Sequence, residues 1–193
     1  MFTNGLKLKY LYYKTRVHQK IFRDGTFPFK FYDKLTEYTK DYNSKKALEC
    51  GTAIGLTAAA IVLGNKDIQL DTLEKHERNI NKSKSNIKKL FPKLQSRINF
   101  VQGRYFSILE TGILKDKKYD FIFLDAYISR YNEVKFLSER LEAGGILAVS
   151  NLREHVPKSL EAKNFLLNGE CFEFLELVDD TIFVKKITKN IEQ

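Results

Sequence analysis

Ala47-Leu48-Glu49-Cys50-Gly51-Thr52-Ala53-Ile54-Gly55-Leu56-Thr57 is the stretch on which the reading of this chain turns. A short apolar run carries an acid at its end and passes into two glycines four residues apart. Leu56 to Leu63 is then almost wholly apolar, with Ala58, Ala59 and Ala60 as strong helix formers. Strand, Gly-rich turn and helix together make the opening unit of a nucleotide-binding α/β domain. Glycine admits positive φ and close approach of a ligand, and a helix N-terminus leaves backbone N–H groups unpaired. Alone, the turn is equally a plain strand-to-helix connection, so the rest of the chain must decide.

Outward from this turn, strand and helix patterns alternate. Strands are expected over Lys46–Cys50, Asp67–Glu74, Arg97–Gln102, Tyr119–Asp125 and Ile146–Ser150. Helices are expected from about Gly55, over Glu77–Leu90, from Tyr105 to about Leu114, and over Tyr131–Leu141 and Lys158–Leu167. Tyr119-Asp120-Phe121-Ile122-Phe123-Leu124-Asp125 is apolar enough to be a parallel strand covered on both faces. Phe172–Val178 and Ile182–Ile187, parted by Asp179-Asp180-Thr181, read as a terminal hairpin. The fold class is therefore α/β, a doubly wound, mostly parallel seven-stranded sheet with a C-terminal β-hairpin and an N-terminal helical extension. Residues 1–44 form that extension, with helices expected over Leu6 to about Phe22 and Phe29–Tyr38. Residues 45–193 form the main domain.

Composition narrows the function classes. The 193 residues are 43% apolar with three prolines, as in a globular domain without a long disordered linker. The run from Ala58 to Leu63 is too short to span a bilayer, and the N-terminus lacks the apolar core of a signal peptide. Cys50 and Cys171 form neither a metal-ligand pattern nor a disulfide framework, so a reduced, cytoplasmic location is expected. His18, His76 and His155 show no ligand spacing. The net charge of +9 is uneven: residues 1–46 hold 11 Lys/Arg against 4 Asp/Glu. Lys7, Lys9, Lys14, Arg16, Lys20 and Arg23 stand among Tyr10, Tyr12, Tyr13 and Phe22, with no acid before Asp24. Cations attract phosphates and aromatic rings stack on unpaired bases, so Lys14, Arg16, Lys20 and Arg23 read as an RNA-binding arm. The alternative is an amphipathic helix packed on the domain or on a second subunit.

The strand ends form an ordered series. Glu49 and Gly51 end the first, Glu74 the second, Gly103 follows the third, and Asp125 ends the fourth. In such folds ligands bind at the carboxyl edge of the sheet, and an acid ending the second strand accepts hydrogen bonds from ribose hydroxyls. A dinucleotide site is the competing reading, but the first turn lacks the Gly-x-Gly-x-x-Gly spacing.

Leu48-Glu49-Cys50-Gly51-Thr52-Ala53-Ile54-Gly55, Thr72-Leu73-Glu74, Arg97 to Gly103, Tyr119 to Ala126, and Gly144-Gly145-Ile146 through Asn151-Leu152 stand in one order. In that order the chain resembles the S-adenosylmethionine-dependent O-methyltransferases of the catechol O-methyltransferase type, over about residues 45–187. Gly51-Thr52-Ala53-Ile54-Gly55 and the helix after Glu74 look most like the bacterial tRNA 5-hydroxyuridine (wobble uridine) methyltransferases. The resemblance implies a Rossmann-like methyltransferase sheet and S-adenosylmethionine as methyl donor. It implies that Glu49, Gly51, Thr52, Ala53, Gly55 and Thr57 line the methionine and ribose part of the site, with Asp125 beside them. Glu74 would hold the ribose, and Gly103, Arg104 and Tyr105 would face the adenine. Arg104 replaces an Asp that many relatives place against the adenine amino group.

Two departures bear on chemistry. The family's divalent metal sits on an Asp after the fourth strand and an Asp-Asn pair after the fifth. Here those positions read Asp125 and Ser150-Asn151, one carboxylate fewer, which weakens a Mg²⁺ site. The family's lysine three residues after the first Asp reads Ile128. The expectation is methyl transfer to tRNA, at a wobble uridine 5-hydroxyl, without a tightly bound metal. Asp125 would act as hydrogen-bond acceptor or general base and Asn151 as an orienting donor. Tyr127, Arg130 and Tyr131 are placed to stack on or clamp a base, with Arg130 as a further RNA contact. A small-molecule, catechol-like O-methyltransferase and a non-catalytic RNA-binding relative are the alternatives, and a homodimer through the N-terminal helices is a possible assembly.

Overall fold

The computed structural model describes residues 3–22, 28–125 and 129–187, without the side chains of 18–22. Helix α1 (Asn4–Phe22) and helix α2 (Phe29–Asp41) precede the sheet. Then follow β1 (Lys46–Cys50), α3 (Leu56–Gly64), β2 (Gln69–Glu74), α4 (Glu77–Leu90), β3 (Ile98–Gln102), α5 (Tyr105–Glu110), β4 (Tyr119–Leu124), α6 (Tyr131–Arg140), β5 (Leu141–Val149), α7 (Pro157–Leu167), β6 (Phe172–Val178) and β7 (Thr181–Lys186). One seven-stranded sheet runs in the order β3-β2-β1-β4-β5-β7-β6. Its first five strands are parallel, and β7 pairs antiparallel with both β5 and β6. This is the Rossmann-like methyltransferase sheet with the terminal hairpin at one edge.

Helices cover both faces because successive strand residues point to opposite sides. Ala47, Leu70, Phe121, Phe123, Ile146, Ala148 and Phe183 face the layer that holds α3, Ile87 of α4 and the two N-terminal helices. Leu48, Cys50, Leu73, Ile122, Leu124, Leu147 and Val149 face the layer of α5, α6 and α7. The basic N-terminal segment shares this core: Leu8, Leu11, Phe31 and Leu35 are buried in the first layer. Thr39 on α2 donates its hydroxyl to the Ile61 carbonyl at 3.0 Å, locking α2 onto α3.

Several element limits differ from expectation, each for a local reason. β5 begins at Leu141 rather than Ile146, since Leu141 pairs with Tyr119 before the register breaks and resumes at Phe121 with Ile146. Gly144, at φ 77, lies inside that irregularity instead of ahead of the strand. β2 begins at Gln69, because Asn65 accepts the Asp67 N–H in a turn. A 3₁₀ turn over Pro92–Arg97 takes up Arg97, whose guanidinium caps the carbonyls of Val62, Asn65 and Lys66. α5 stops at Glu110.

Candidate active site at the strand ends

The Gly51–Gly55 turn is built from backbone conformations that few residues tolerate. Gly51 has φ 110, Ala53 φ 45 and Gly55 φ 89. A Cβ on Gly51 would stand 2.5 Å from the Asp125 carbonyl oxygen, so glycine here lets the ends of β1 and β4 close together. A Cβ on Gly55 would stand 2.3 Å from Ser83 Oγ. The turn is thus pressed between β4 and α4, and the N-terminus of α3 opens from it.

Two carboxylates sit below and beside the turn. Glu49 is wholly buried, and its Oε2 accepts the Thr72 hydroxyl. Burial pushes its pKa up to about 8; Asp125 and Glu74 add to the rise, and the hydroxyls of Thr57 and Thr72 oppose it. Glu49 Oε1 has no partner at hydrogen-bonding geometry, so the Thr57 effect is one of proximity. Glu74 accepts the backbone N–H of His76 at Oε1 (2.9 Å), and at Oε2 that of Ala53 (3.1 Å) and the Asn79 amide (3.2 Å). A carboxylate offers about four lone-pair sites, so two ribose hydroxyls would have to displace one of these three donors.

The surroundings fit a polar ligand. Among the described residues six buried side-chain atoms lack a hydrogen-bonding partner, and three of them, Glu49 Oε1, Asn79 Oδ1 and Ser83 Oγ, ring this turn. Buried polar atoms are seldom left unpaired, and such a cluster beside a glycine cradle suits a ligand with several polar groups. Gly103, at φ 142, donates its N–H to the Glu74 carbonyl and brings the end of β3 to the same edge. Arg104 is exposed and precedes α5, while Tyr105 engages Glu133 of α6 within the same layer; burial and that carboxylate raise the Tyr105 pKa. Tyr105 therefore faces α6 as well as the strand end.

At the β4 and β5 ends, Ser150 Oγ and Asn151 Nδ2 both reach Asp125 Oδ1 at 3.1 Å. Asn151 takes φ 57, which turns its side chain back toward the carboxylate. Ser129 donates its hydroxyl to the Ser150 carbonyl at 2.7 Å, clipping the two loops together. Divalent magnesium needs several oxygen ligands, mainly carboxylate. Here one carboxylate, Asp125, stands with a serine hydroxyl and an asparagine amide, a single anionic ligand for a doubly charged ion. Among the described residues no group of three or more His, Cys, Asp or Glu gathers to hold a metal. The residues do not fit a tightly held Mg²⁺.

The expected RNA contacts are dispersed. Lys14 donates to Asn86 Oδ1 at 2.7 Å and is half-buried against α4, so it is not a free cation on the arm. Arg16 is exposed, its guanidinium 5.9 Å from the centre of the Tyr12 ring. Arg130 pairs with Glu133 and begins α6, in the layer opposite α1. The side chain of Lys20, together with Arg23, Tyr127 and Ile128, lies outside the described residues. Reading by strand ends missed Thr72, Asn79, Ser83, Asn86 and Ser129. Thr72 reaches Glu49 only because the two pair in register across β1 and β2, whereas Asn79, Ser83 and Asn86 follow from the 3–4 spacing on the inner face of α4.

The O-methyltransferase family profile matches residues 29–157. An O-methyltransferase from Bacillus cereus in complex with SAH superposes with a TM-score of 0.76 at 16% identity, over 94% of this chain and 90% of that one. The SAH-bound Podospora anserina methyltransferase gives 0.77 at 20%, over 94% and 88%. A Streptomyces achromogenes O-methyltransferase involved in tomaymycin synthesis, in complex with SAM, gives 0.74 at 15%, over 92% and 89%. These likenesses share the sheet described above. With two-thirds of its length matched by the family profile, this chain belongs to the O-methyltransferase family.

Proposed function

We propose that the chain is an S-adenosylmethionine-dependent methyltransferase that acts on a tRNA hydroxyl, at a wobble uridine, without a tightly held metal. The observation that carries the donor is the glycine cradle ringed by Glu49, Asn79 and Ser83, with Glu74 beside it. In this reading Glu49, Gly51, Thr52, Ala53, Gly55 and Thr57 hold the methionine and ribose end, Glu74 the ribose, and Gly103, Arg104 and Tyr105 the adenine. S-adenosylmethionine supplies, when bound, a sulfonium methyl group ready for an oxygen nucleophile. Asp125 would accept the acceptor's hydroxyl proton as its oxygen takes the methyl group and the methyl–sulfur bond breaks, with S-adenosylhomocysteine as the leaving group, while Ser150 and Asn151 fix the carboxylate. An acidic enol-like hydroxyl on a pyrimidine needs little more than this, and orientation does the rest.

What supports RNA is the cationic face shared by α1 and α4. Lys82 and Lys89 stand close enough to Lys14 to lower its pKa, after the larger effect of burial. Exposed Tyr10 adjoins Lys14 one turn away on α1, and Tyr13, Lys9 and Arg16 stand exposed further round the same helix. Phosphates and stacked bases are the partners such a surface fits. Leu6, Tyr10, Tyr13 and Val17 also make an exposed stripe at helical spacing, and a homodimer through it that shuts out tRNA would overturn the RNA contact. A small-molecule acceptor is the second reading. It is favoured by a cleft of about 440 Å³ lined by Phe106, Arg130, Tyr131, Glu133 and Lys158 among others, a size suited to one.

Incubation of the purified chain with methyl-labelled donor and undermodified total tRNA, followed by nucleoside mass spectrometry, tests both. One newly methylated uridine derivative, insensitive to EDTA, is expected. Methylation of a catechol that EDTA abolishes, with none on tRNA, would establish the second reading. Tight binding of donor and tRNA without transfer to any acceptor would mark a non-catalytic RNA-binding relative.

A further inference from the structure

We infer that Lys14 is a positioning residue for the methyl donor's site, acting through Asn86 on the Ile54 carbonyl at the centre of the Gly51–Gly55 turn; the inference rests on assigning that turn to the donor. The Lys14 ammonium donates to Asn86 Oδ1 at 2.7 Å. Asn86, 2% exposed, donates its Nδ2 to the Ile54 carbonyl at 3.0 Å. Ile54 stands between two left-handed residues, Ala53 at φ 45 and Gly55 at φ 89, and the peptide that follows it is held at both ends: the Gly55 N–H donates to the Thr52 carbonyl at 2.9 Å, and Asn86 holds the Ile54 carbonyl. On the other side the Ala53 N–H is held by Glu74. The turn is therefore gripped at two peptides with one between them, by Glu74 from β2 and by Lys14 through Asn86.

The Lys14 contact is not incidental. Among the described residues this ammonium has no acidic partner; it meets a neutral amide, with Lys82 and Lys89 nearby, and both burial and like charge disfavour it there. Asn86 can give its N–H to Ile54 only while its oxygen faces outward, and a cation at that oxygen enforces this orientation. With Lys14 replaced by an apolar side chain the amide oxygen loses its donor, and the Ile54 carbonyl is left as the contact that orients Asn86, a looser hold on the turn. The first helix thereby becomes part of the donor site through Asn86 of α4.

Calorimetry with S-adenosylhomocysteine on the full chain, joined to amide hydrogen exchange over residues 53–56, tests this. Lys14→Met should raise Kd about three- to tenfold and speed exchange at the turn, with thermal stability nearly unchanged. In combination with Asn86→Ala the losses should be far from additive, since the two residues act in series. A folded Lys14→Met variant with wild-type affinity and wild-type exchange would overturn the inference while leaving the donor assignment standing. A wild-type chain that binds no S-adenosylhomocysteine would overturn the donor assignment, and the inference with it.

Discussion

Glu49 is buried, has one oxygen unpartnered, and titrates near 8 in the folded chain, against about 4.3 for an unperturbed glutamate. Between those two values the native state holds a proton that the unfolded chain has lost, so stability is greatest below the lower value and falls as pH rises through the upper. Glu49→Gln should flatten the decline of melting temperature between about pH 5 and pH 8, and an unchanged slope in thermal scans would show that Glu49 is not the titrating group. A cationic ligand group set against Glu49 would favour its ionised form, so donor binding near neutrality should release a proton, measurable by calorimetry in buffers of different ionisation enthalpy. Glu74→Ala should weaken donor binding at least about tenfold, or about 1.4 kcal/mol; unchanged affinity would remove Glu74 from the site. Asp125→Asn should lower the methylation rate by about 10² or more with donor affinity little altered. Glu49, Glu74 and Asp125 were legible in the sequence because each ends a strand, and strand ends of a parallel sheet share one edge. Thr72, Asn79, Ser83 and Asn86 were not, since their partners are fixed by strand register and by how α4 lies against the turn.

Among the elements, the junction of β1, its turn and α3 is where local geometry is least forgiving. Gly55 combines φ 89 with Ser83 Oγ only 2.3 Å from where a Cβ would stand. Gly55→Ala should therefore cost about 2 kcal/mol or more, from left-handed strain and from displacement of Ser83. For a chain of this length that is a fall of about 4–8 °C in melting temperature. Adding Ser83→Gly should recover the steric part alone; full recovery would show that φ at this position carries no strain. The fold's elements were legible almost throughout, because β4 is apolar from Phe121 to Leu124 and strand-like and helix-like stretches alternate along the chain. Misplaced limits fall where register or side-chain caps override the pattern: the start of β5, set by Leu141 opposite Tyr119, and the Pro92–Arg97 turn held by Arg97. The partners that set both limits, Tyr119 for Leu141 and the carbonyls of residues 62, 65 and 66 for Arg97, lie far along the chain.

At the scale of the whole molecule the sheet separates two surfaces. α1, α2, α3 and α4 share one layer and α5, α6 and α7 the other, so Arg130 and the basic arm, which the sequence alone set together as RNA contacts, lie on opposite sides. The arm instead joins α4, whose Arg78, Lys82, Lys84, Lys88 and Lys89 stand against the single acid Glu77. Contiguity of this kind is invisible along the chain because 68 positions separate Lys14 from Lys82. If tRNA lies on this joint face, its affinity should fall steeply with salt, as phosphate contacts displace condensed counterions. Lys82→Glu with Lys89→Glu should lower the slope of log affinity against log salt by about 2, one for each lost contact. Arg130→Glu, on the far layer, should leave that slope within error. Filter binding between low and physiological salt reads all three. A shallow slope in the intact chain would remove the face as an RNA surface, and a slope that responds to Arg130 rather than to Lys82 and Lys89 would move the tRNA to the α6–α7 cleft.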